Sequence, residues 1–138
     1  MKLILKPLKS AVASLNEVLQ VRAADPQNTF LLDAAIQRFE YTYELSYKML
    51  KRYLKMYGAS TAIVDSMSFP ELIRTGFEQG LLKHSWDKWQ LFREARNITS
   101  HTYDLVKANK VFSVIPEFYE EAVFLLNNLE QHVSINAN

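Results

Sequence analysis

The chain has 138 residues, 16 Lys and Arg against 15 Asp and Glu, and no cysteine; this length suits one domain, residues 1–138, with its own hydrophobic core. Without cysteine there can be no disulfide, thiolate metal site or cysteine nucleophile, and we expect the protein to work in the reducing cytoplasm. The formal net charge of +1 excludes a global basic field, so any contact with nucleic acid has to come from a local patch.

The N-terminal stretch predicts neither a signal peptide nor an anchor. Pro7 and Lys9 interrupt its apolar run before a signal-peptide core could form. Nowhere does the sequence approach the ~20 apolar residues that a membrane span requires. We therefore expect a soluble protein with no membrane partner.

Two long helices are predicted in the first half of the chain. The first covers about residues 6–23, where apolar residues recur every three or four positions, at Leu5, Leu8, Val12, Leu15 and Leu19. Asp25 and Pro26 then indicate a turn, or a cap followed by a proline in the first helical turn. The second helix is predicted over about residues 28–57, roughly 30 residues and about 45 Å long. No Gly or Pro interrupts it before Gly58.

Charged side chains on the second helix are predicted to stabilise the helix itself. Glu40, Glu44 and Lys48 follow one another at four-residue spacing in the favourable acid-before-base order. A basic group near the helix end complements the negative pole of the helix dipole, and it consists of Lys48, Lys51, Arg52 and Lys55. We therefore interpret the basic group as solvated surface.

A short helix is predicted after a linker. Residues 59–67 lack a clear pattern and are too few to separate domains. Ser68 and Glu71 form a capping box that opens the short helix, and Gly80 closes it. Its buried side is predicted to consist of Leu72, Ile73 and Phe77.

Two more helices complete the predicted fold. Ser85 caps a helix that runs toward Arg96 and turns four side chains inward, those of Trp86, Trp89, Phe92 and Ala95. Ser113 and Pro116 open the last helix, whose apolar residues have heptad-like spacing, at Ile115, Phe118, Ala122, Leu125, Leu129 and Val133. No segment shows strand alternation. The prediction is an all-α protein, an up-and-down four-helix bundle with one extra short helix.

Polar side chains capable of chemistry cluster in one part of the sequence. They are Arg93, Arg96, Asn97, Ser100, His101 and Tyr103. On a continuous helix Arg96 and Tyr103 would share a face, with His101 about 140° from Arg96. Histidine exchanges protons near neutrality and arginine presents a planar fork to phosphate, so this pair suits phosphodiester chemistry. An Arg and a His at this spacing are also often a solvated pair, and spacing alone leaves that alternative open.

Other site chemistries are weakly supported. Residues 83–110 carry six Lys and Arg against three acids, and with interleaved Trp86, Trp89 and Tyr103 they could follow a single nucleic-acid strand. For Trp86 and Trp89, burial on the apolar face of a helix is a simpler interpretation than stacking on nucleic acid. His84 and His132 have no acid, Cys or second His at ligand spacing. With no Gly-rich phosphate loop and no paired carboxylates either, we predict no metal and no cofactor.

The motif and its surroundings resemble one known family. The R-x4-H-x-Y signature of HEPN-domain toxins matches at Arg96, Asn97, His101 and Tyr103. Residues 38–54 resemble the long second helix of the branch named nucleotidyltransferase substrate-binding protein, and the resemblance continues through residues 68–71 and 80–81. It therefore covers nearly the whole chain.

The resemblance implies a homodimeric helical bundle, encoded beside a small nucleotidyltransferase with which it forms a toxin–antitoxin pair. It implies metal-independent RNA cleavage, in which Arg96 binds the scissile phosphate and His101 is general acid or base for attack by the ribose 2′-OH. Asn97 takes the polar position that the family favours after the arginine. Tyr103 matches the tyrosine that the partner enzyme can modify with AMP.

Two functions of different classes follow from these expectations. The first is a ribonuclease toxin with a site completed across a homodimer, in which Arg93 and Ser100 support the substrate. The alternative is a non-catalytic subunit that presents a nucleotide or substrate to the partner nucleotidyltransferase. A purely structural bundle would require the motif to be accidental. The aromatic content of 12% favours a face that meets a partner.

Overall fold

The computed structural model describes residues 3–58 and 60–136. These residues form seven α-helices and one 3₁₀ helix: α1 Lys6–Ala23, α2 Thr29–Tyr57, α3 Thr61–Ser66, α4 Phe69–Glu78, α5 Trp86–Asn97, the 3₁₀ helix Thr99–His101, α6 Leu105–Phe112 and α7 Ile115–Asn136. Within these two ranges there is no strand, and the predicted all-α bundle is confirmed. Among the described helices, none is both long and apolar enough to cross a membrane.

The long helix α2 is the centre of the bundle, with α1, α3, α6 and α7 packed along it. Its ends lie where local signals predict them. The side chain of Asn28 accepts hydrogen bonds from the backbone N–H groups of Phe30 and Leu31, which caps the helix. Gly58 follows its last residue. Pro26 lies in the preceding turn and not in the helix, so of the two alternatives for this proline the turn is correct.

An aromatic cluster fixes α5 against α2 and α7. The Phe118 ring of α7 makes edge-on contacts with Phe39, Trp89 and Phe92, at centroid distances of 5.1, 6.0 and 5.3 Å. All four side chains are fully buried. The predicted inward face of α5 is therefore confirmed for Trp89, Phe92 and Ala95, while Trp86 is half-buried. This packing determines where the last turn of α5 lies.

Two short helices were not predicted. Residues 61–66 lie in the expected linker, but Ser60 caps them as α3 and Val64 is buried against the core. Residues 105–112 form α6, which Asp104 caps by accepting from the backbone N–H groups of Val106 and Lys107. Both helices are too short to show a clear apolar periodicity in the sequence. The packing of a few apolar side chains against the rest of the bundle stabilises them.

The buried side of α4 differs from the prediction at one residue. Ser68 and Glu71 form the expected capping contacts, and Leu72 and Ile73 are buried. Phe77, however, is 44% exposed, and Gly76 takes the buried position beside it. A Cβ on Gly76 would lie 3.0 Å from a methyl carbon of Leu50, so this glycine lets α4 approach α2 closely.

Candidate functional site

The candidate site lies where α5 ends and the chain turns into the 3₁₀ helix. Asn97 is the last residue of α5, and the backbone N–H of Ile98 donates to the carbonyl oxygen of Ala95 at 3.2 Å. The Thr99 hydroxyl donates to the carbonyl oxygen of Arg96 at 2.9 Å. The Thr99 hydroxyl thereby competes for a carbonyl that a further helical turn would use, which favours the end of the helix here. Residues 96–103 therefore do not follow one continuous helical path, and α5 ends one residue after Arg96, close to the predicted end.

Arg96 is held on two sides. Its Nε donates to Glu44 Oε1 of α2 at 3.2 Å, and its Nη1 donates to the buried Thr99 hydroxyl at 3.3 Å. The remaining nitrogen, Nη2, lies 3.9 Å from Glu40 Oε1, which is too long for a hydrogen bond. The guanidinium is thus fixed in orientation and 31% exposed, with Nη2 the least engaged of its nitrogens.

Glu44 joins Arg96 to an aromatic side chain of α2. Its Oε2 accepts a hydrogen bond from the Tyr47 hydroxyl at 2.9 Å while Oε1 accepts from Arg96. Burial and this neighbouring carboxylate together raise the pKa of Tyr47. Glu40 and Glu44 therefore face Arg96, whereas their spacing alone had suggested an interaction with Lys48 along the same helix.

His101 and Tyr103 lie on the exposed side of the same turn. His101 ends the 3₁₀ helix and is exposed, as is Ser100 before it. The His101 and Tyr103 rings are 6.3 Å apart, and Tyr103 is 87% exposed, so its ring is not packed into the bundle. Arg96 and His101 share no hydrogen bond in the part of the chain that the structure describes. They are linked indirectly, because Thr99, which holds Arg96, belongs to the 3₁₀ helix that carries His101.

A cavity of about 370 Å³ opens beside Arg96. It is lined by Tyr43, Glu44, Tyr47, Phe69, Arg93, Arg96 and Asn97. Three of the predicted site residues, Arg93, Arg96 and Asn97, thus meet at one cavity. Tyr103 lines a different cavity, beside the first turn of α2, so Arg96 and Tyr103 do not meet at one cavity as they would on a continuous helix.

Most of the surrounding basic and aromatic residues have structural partners. Trp89 is fully buried, and Lys83 and Lys88 form ion pairs with Glu120 and Glu117 of α7. These contacts favour the core interpretation of the two Trp over a nucleic-acid stripe. Two members of the basic group at the end of α2, Lys51 and Lys55, likewise form ion pairs with Asp65 of α3.

Sequence reasoning missed one buried acid. Glu121 of α7 is fully buried, and its carboxylate accepts hydrogen bonds from the backbone N–H groups of Lys83 and His84 and from Trp89 Nε1, at 2.7, 3.0 and 2.7 Å. Burial raises its pKa, although the three donors favour the charged form. The sequence does place Glu121 among the regularly spaced apolar residues of α7, such as Phe118 and Leu125, and this position indicates that the acid is buried. Among the described residues, no three His, Cys, Asp or Glu side chains are grouped as a metal site requires.

Comparisons with known proteins agree on one family. Residues 3–131 match the family model described as nucleotidyltransferase substrate binding protein like. A curated Haemophilus influenzae protein named probable ribonuclease HepT is 43% identical over 101 residues, which are 73% of this chain and 68% of that protein. A solved Haemophilus influenzae structure has 36% sequence identity and a TM-score of 0.85, with 92% of this chain and 99% of that one covered. Its description is the fold of a substrate binding domain of a nucleotidyltransferase.

Proposed function

Because this chain belongs to the nucleotidyltransferase substrate binding protein like family, with a HepT relative at 43% identity, we propose that it is a metal-independent RNase toxin. Arg96 and His101 are its catalytic residues. The observation that carries the proposal is the guanidinium of Arg96, which Glu44 and Thr99 hold at the end of α5 with Nη2 left for a phosphate oxygen.

The reaction needs no group beyond the chain and its substrate. The ribose 2′ oxygen attacks the adjacent phosphorus, the bond from phosphorus to the 5′ oxygen breaks, and a 2′,3′-cyclic phosphate and a 5′ hydroxyl result. His101 of one copy of the chain takes the 2′ proton, and His101 of a second copy supplies the proton to the leaving 5′ oxygen. Arg96 stabilises the negative charge that develops on the phosphoryl oxygens.

One histidine cannot make both proton transfers at once, which favours a composite site between two copies. An apolar surface next to His101 suits such an interface. This surface, the α6 patch, consists of Leu105 and Val106, each more than half exposed. Exposed apolar patches of this kind mark interaction surfaces. In a symmetric homodimer the α6 patches would meet and bring two copies of His101 to the same interface.

Tyr103 is the control point in this account. We assign it as the residue to which a partner nucleotidyltransferase antitoxin, encoded nearby, transfers AMP. The phenol oxygen attacks the α-phosphorus of ATP, pyrophosphate leaves, and the phenol proton passes to a base or to water. The Tyr103 side chain is accessible, and its ring lies 6.3 Å from that of His101. An attached AMP would therefore block access to His101.

The second candidate is a non-catalytic subunit that presents a nucleotide or other substrate to the partner nucleotidyltransferase. The description of the solved relative as a substrate binding domain favours it. The two candidates differ in one measurable property. Incubation of the purified protein with single-stranded RNA and a chelator yields 2′,3′-cyclic phosphate ends if the first is correct. Intact RNA together with stimulation of the partner's nucleotidyl transfer would support the second.

A further inference from the structure

The cavity beside Arg96 has one aromatic side and one polar side. Phe69, the first residue of α4, lies at its back, with the rings of Tyr47 and Tyr43 at centroid distances of 5.6 and 6.2 Å. Tyr47 and Phe69 are half-buried, so part of each ring faces the cavity. The guanidinium carbon of Arg93 lies 5.1 Å from the centre of the Phe69 ring.

Two polar side chains of the cavity are uncommitted. Arg93 and Asn97 are both exposed, and within residues 3–58 and 60–136 neither side chain forms a hydrogen bond or an ion pair. Arg96, by contrast, is committed to Glu44 and Thr99. The cavity therefore offers the planar cation of Arg93 and the amide of Asn97, which can both donate and accept hydrogen bonds. Arg96, the candidate for phosphate binding, lies between these two residues in the sequence of the last turn of α5.

We propose that this cavity binds the base of the nucleotide adjoining the phosphate at Arg96, an assignment that rests on the RNA cleavage proposed above. The base stacks on the face of the Arg93 guanidinium that points away from the Phe69 ring, and the Asn97 amide forms hydrogen bonds with the edge of the base. Single-stranded RNA is recognised by this combination of stacking on aromatic rings or arginine planes and hydrogen bonding to base edges.

The position of the cavity explains why the two sites would act together. Asn97 directly follows Arg96, so a base held by Asn97 and a phosphate held by Arg96 belong to neighbouring parts of one nucleotide chain. A base fixed in this cavity would orient the phosphate for attack, which is the positioning effect that accelerates phosphodiester cleavage. The amide of Asn97 would also make cleavage depend on which base is present.

Binding of uncleavable oligonucleotides tests the pocket without relying on catalysis. We would measure, by fluorescence anisotropy, the affinity of labelled 2′-O-methyl trinucleotides in which each position in turn lacks its base. Loss of the base at one position should weaken binding to the wild type about tenfold. In Arg93→Ala and in Asn97→Ala, the absence of the same base should weaken binding by less than threefold. Matched controls are Arg74→Ala on α4 and Asn127→Ala on α7, both exposed and outside the cavity, and both should keep the tenfold effect.

Each outcome separates the pocket from the catalytic proposal. If no position depends on its base, or if the dependence survives in both pocket variants, the pocket assignment is wrong even when the protein cleaves RNA. If binding depends on the base as predicted but the cleavable RNA trinucleotides stay intact, the pocket assignment stands and the catalytic proposal fails. Failure to bind any trinucleotide overturns the pocket.

Discussion

Arg96 Nε donates to Glu44 Oε1 across 3.2 Å, although the two residues are 52 positions apart in the sequence. The contact ties the last turn of α5 to the middle of α2. It fixes the plane of the guanidinium before any substrate arrives, which lowers the entropic cost of ordering a long side chain. It also places a carboxylate beside a proposed phosphate site, so it should favour orientation at the expense of affinity.

Replacement of Glu44 should separate these two effects. In Glu44→Gln the Arg96 guanidinium loses a charged anchor, so kcat for RNA cleavage should fall about tenfold. One negative charge is removed beside the RNA phosphate, so KM should fall by about twofold or more. Steady-state kinetics measure both constants. Glu78→Gln, at an exposed acid of α4 away from the site, is the control and should change neither. A rise in kcat would contradict the positioning role.

The α6 patch should hold the homodimer together. Val106→Asp places a charge in the apolar interface, so we expect a monomer by light scattering at micromolar concentration and a loss of RNA cleavage. The fold should survive, because Val106 is exposed in the first turn of α6, where an acid is favourable. Ile63→Asp changes an exposed apolar residue of α3 and should stay dimeric. A wild type that is already monomeric would refute the interface.

Tyr103 should gain one AMP from the partner nucleotidyltransferase with ATP and magnesium. Intact mass spectrometry should detect the addition in the wild type and not in Tyr103→Phe. Tyr57→Phe, at another exposed tyrosine, should still be modified. The modified protein should lose RNA cleavage with an unchanged circular-dichroism melting curve, because the mechanism is occlusion of His101. Modification that persists in Tyr103→Phe would remove this residue from the regulation.

Glu121 should make stability depend on pH. Burial raises the pKa of this acid above its ordinary value near 4.5, so the folded state binds its proton more readily than the unfolded state. The contribution of Glu121 to the free energy of unfolding is therefore largest at low pH and declines as the pH rises through the raised pKa. In urea denaturation across pH, the free energy of unfolding of the wild type should therefore fall relative to that of Glu121→Gln, whose side chain does not titrate, as the pH rises through the raised pKa. A constant difference, as expected for the control pair of wild type and Glu78→Gln, would contradict it.

Sequence reasoning succeeded where the signals were local. The bounds of α1 and α2 follow from apolar periodicity and from terminal residues such as Gly58, which act within one turn of where they lie. It failed for α3 and α6, of six and eight residues. Segments this short carry too few periodic positions, and their stability comes from side chains such as Val64 and Val111 that pack against distant helices.

The site was predictable in its members but not in their arrangement. The motif identified Arg96 and His101, yet the helix ends between them, where the Thr99 hydroxyl bonds the Arg96 carbonyl, and this changes which groups meet. Glu44 and Glu121 were the larger omissions. Both act through contacts more than 30 residues away in sequence, and no local spacing predicts such a contact.

RNA cleavage by the purified wild type, Arg96→Ala and His101→Ala in the presence of a chelator tests the central claim most directly. The wild type should produce 2′,3′-cyclic phosphate ends, and each variant should lose at least a hundredfold in rate. His101→Ala should keep the wild-type melting temperature because His101 is exposed, and Arg96→Ala should stay folded with a melting temperature lowered only by the loss of its contacts to Glu44 and Thr99. Arg74→Ala, at an exposed arginine of α4, should cleave at the wild-type rate. Cleavage that persists in either variant, or a wild type that leaves the RNA intact, would contradict the account.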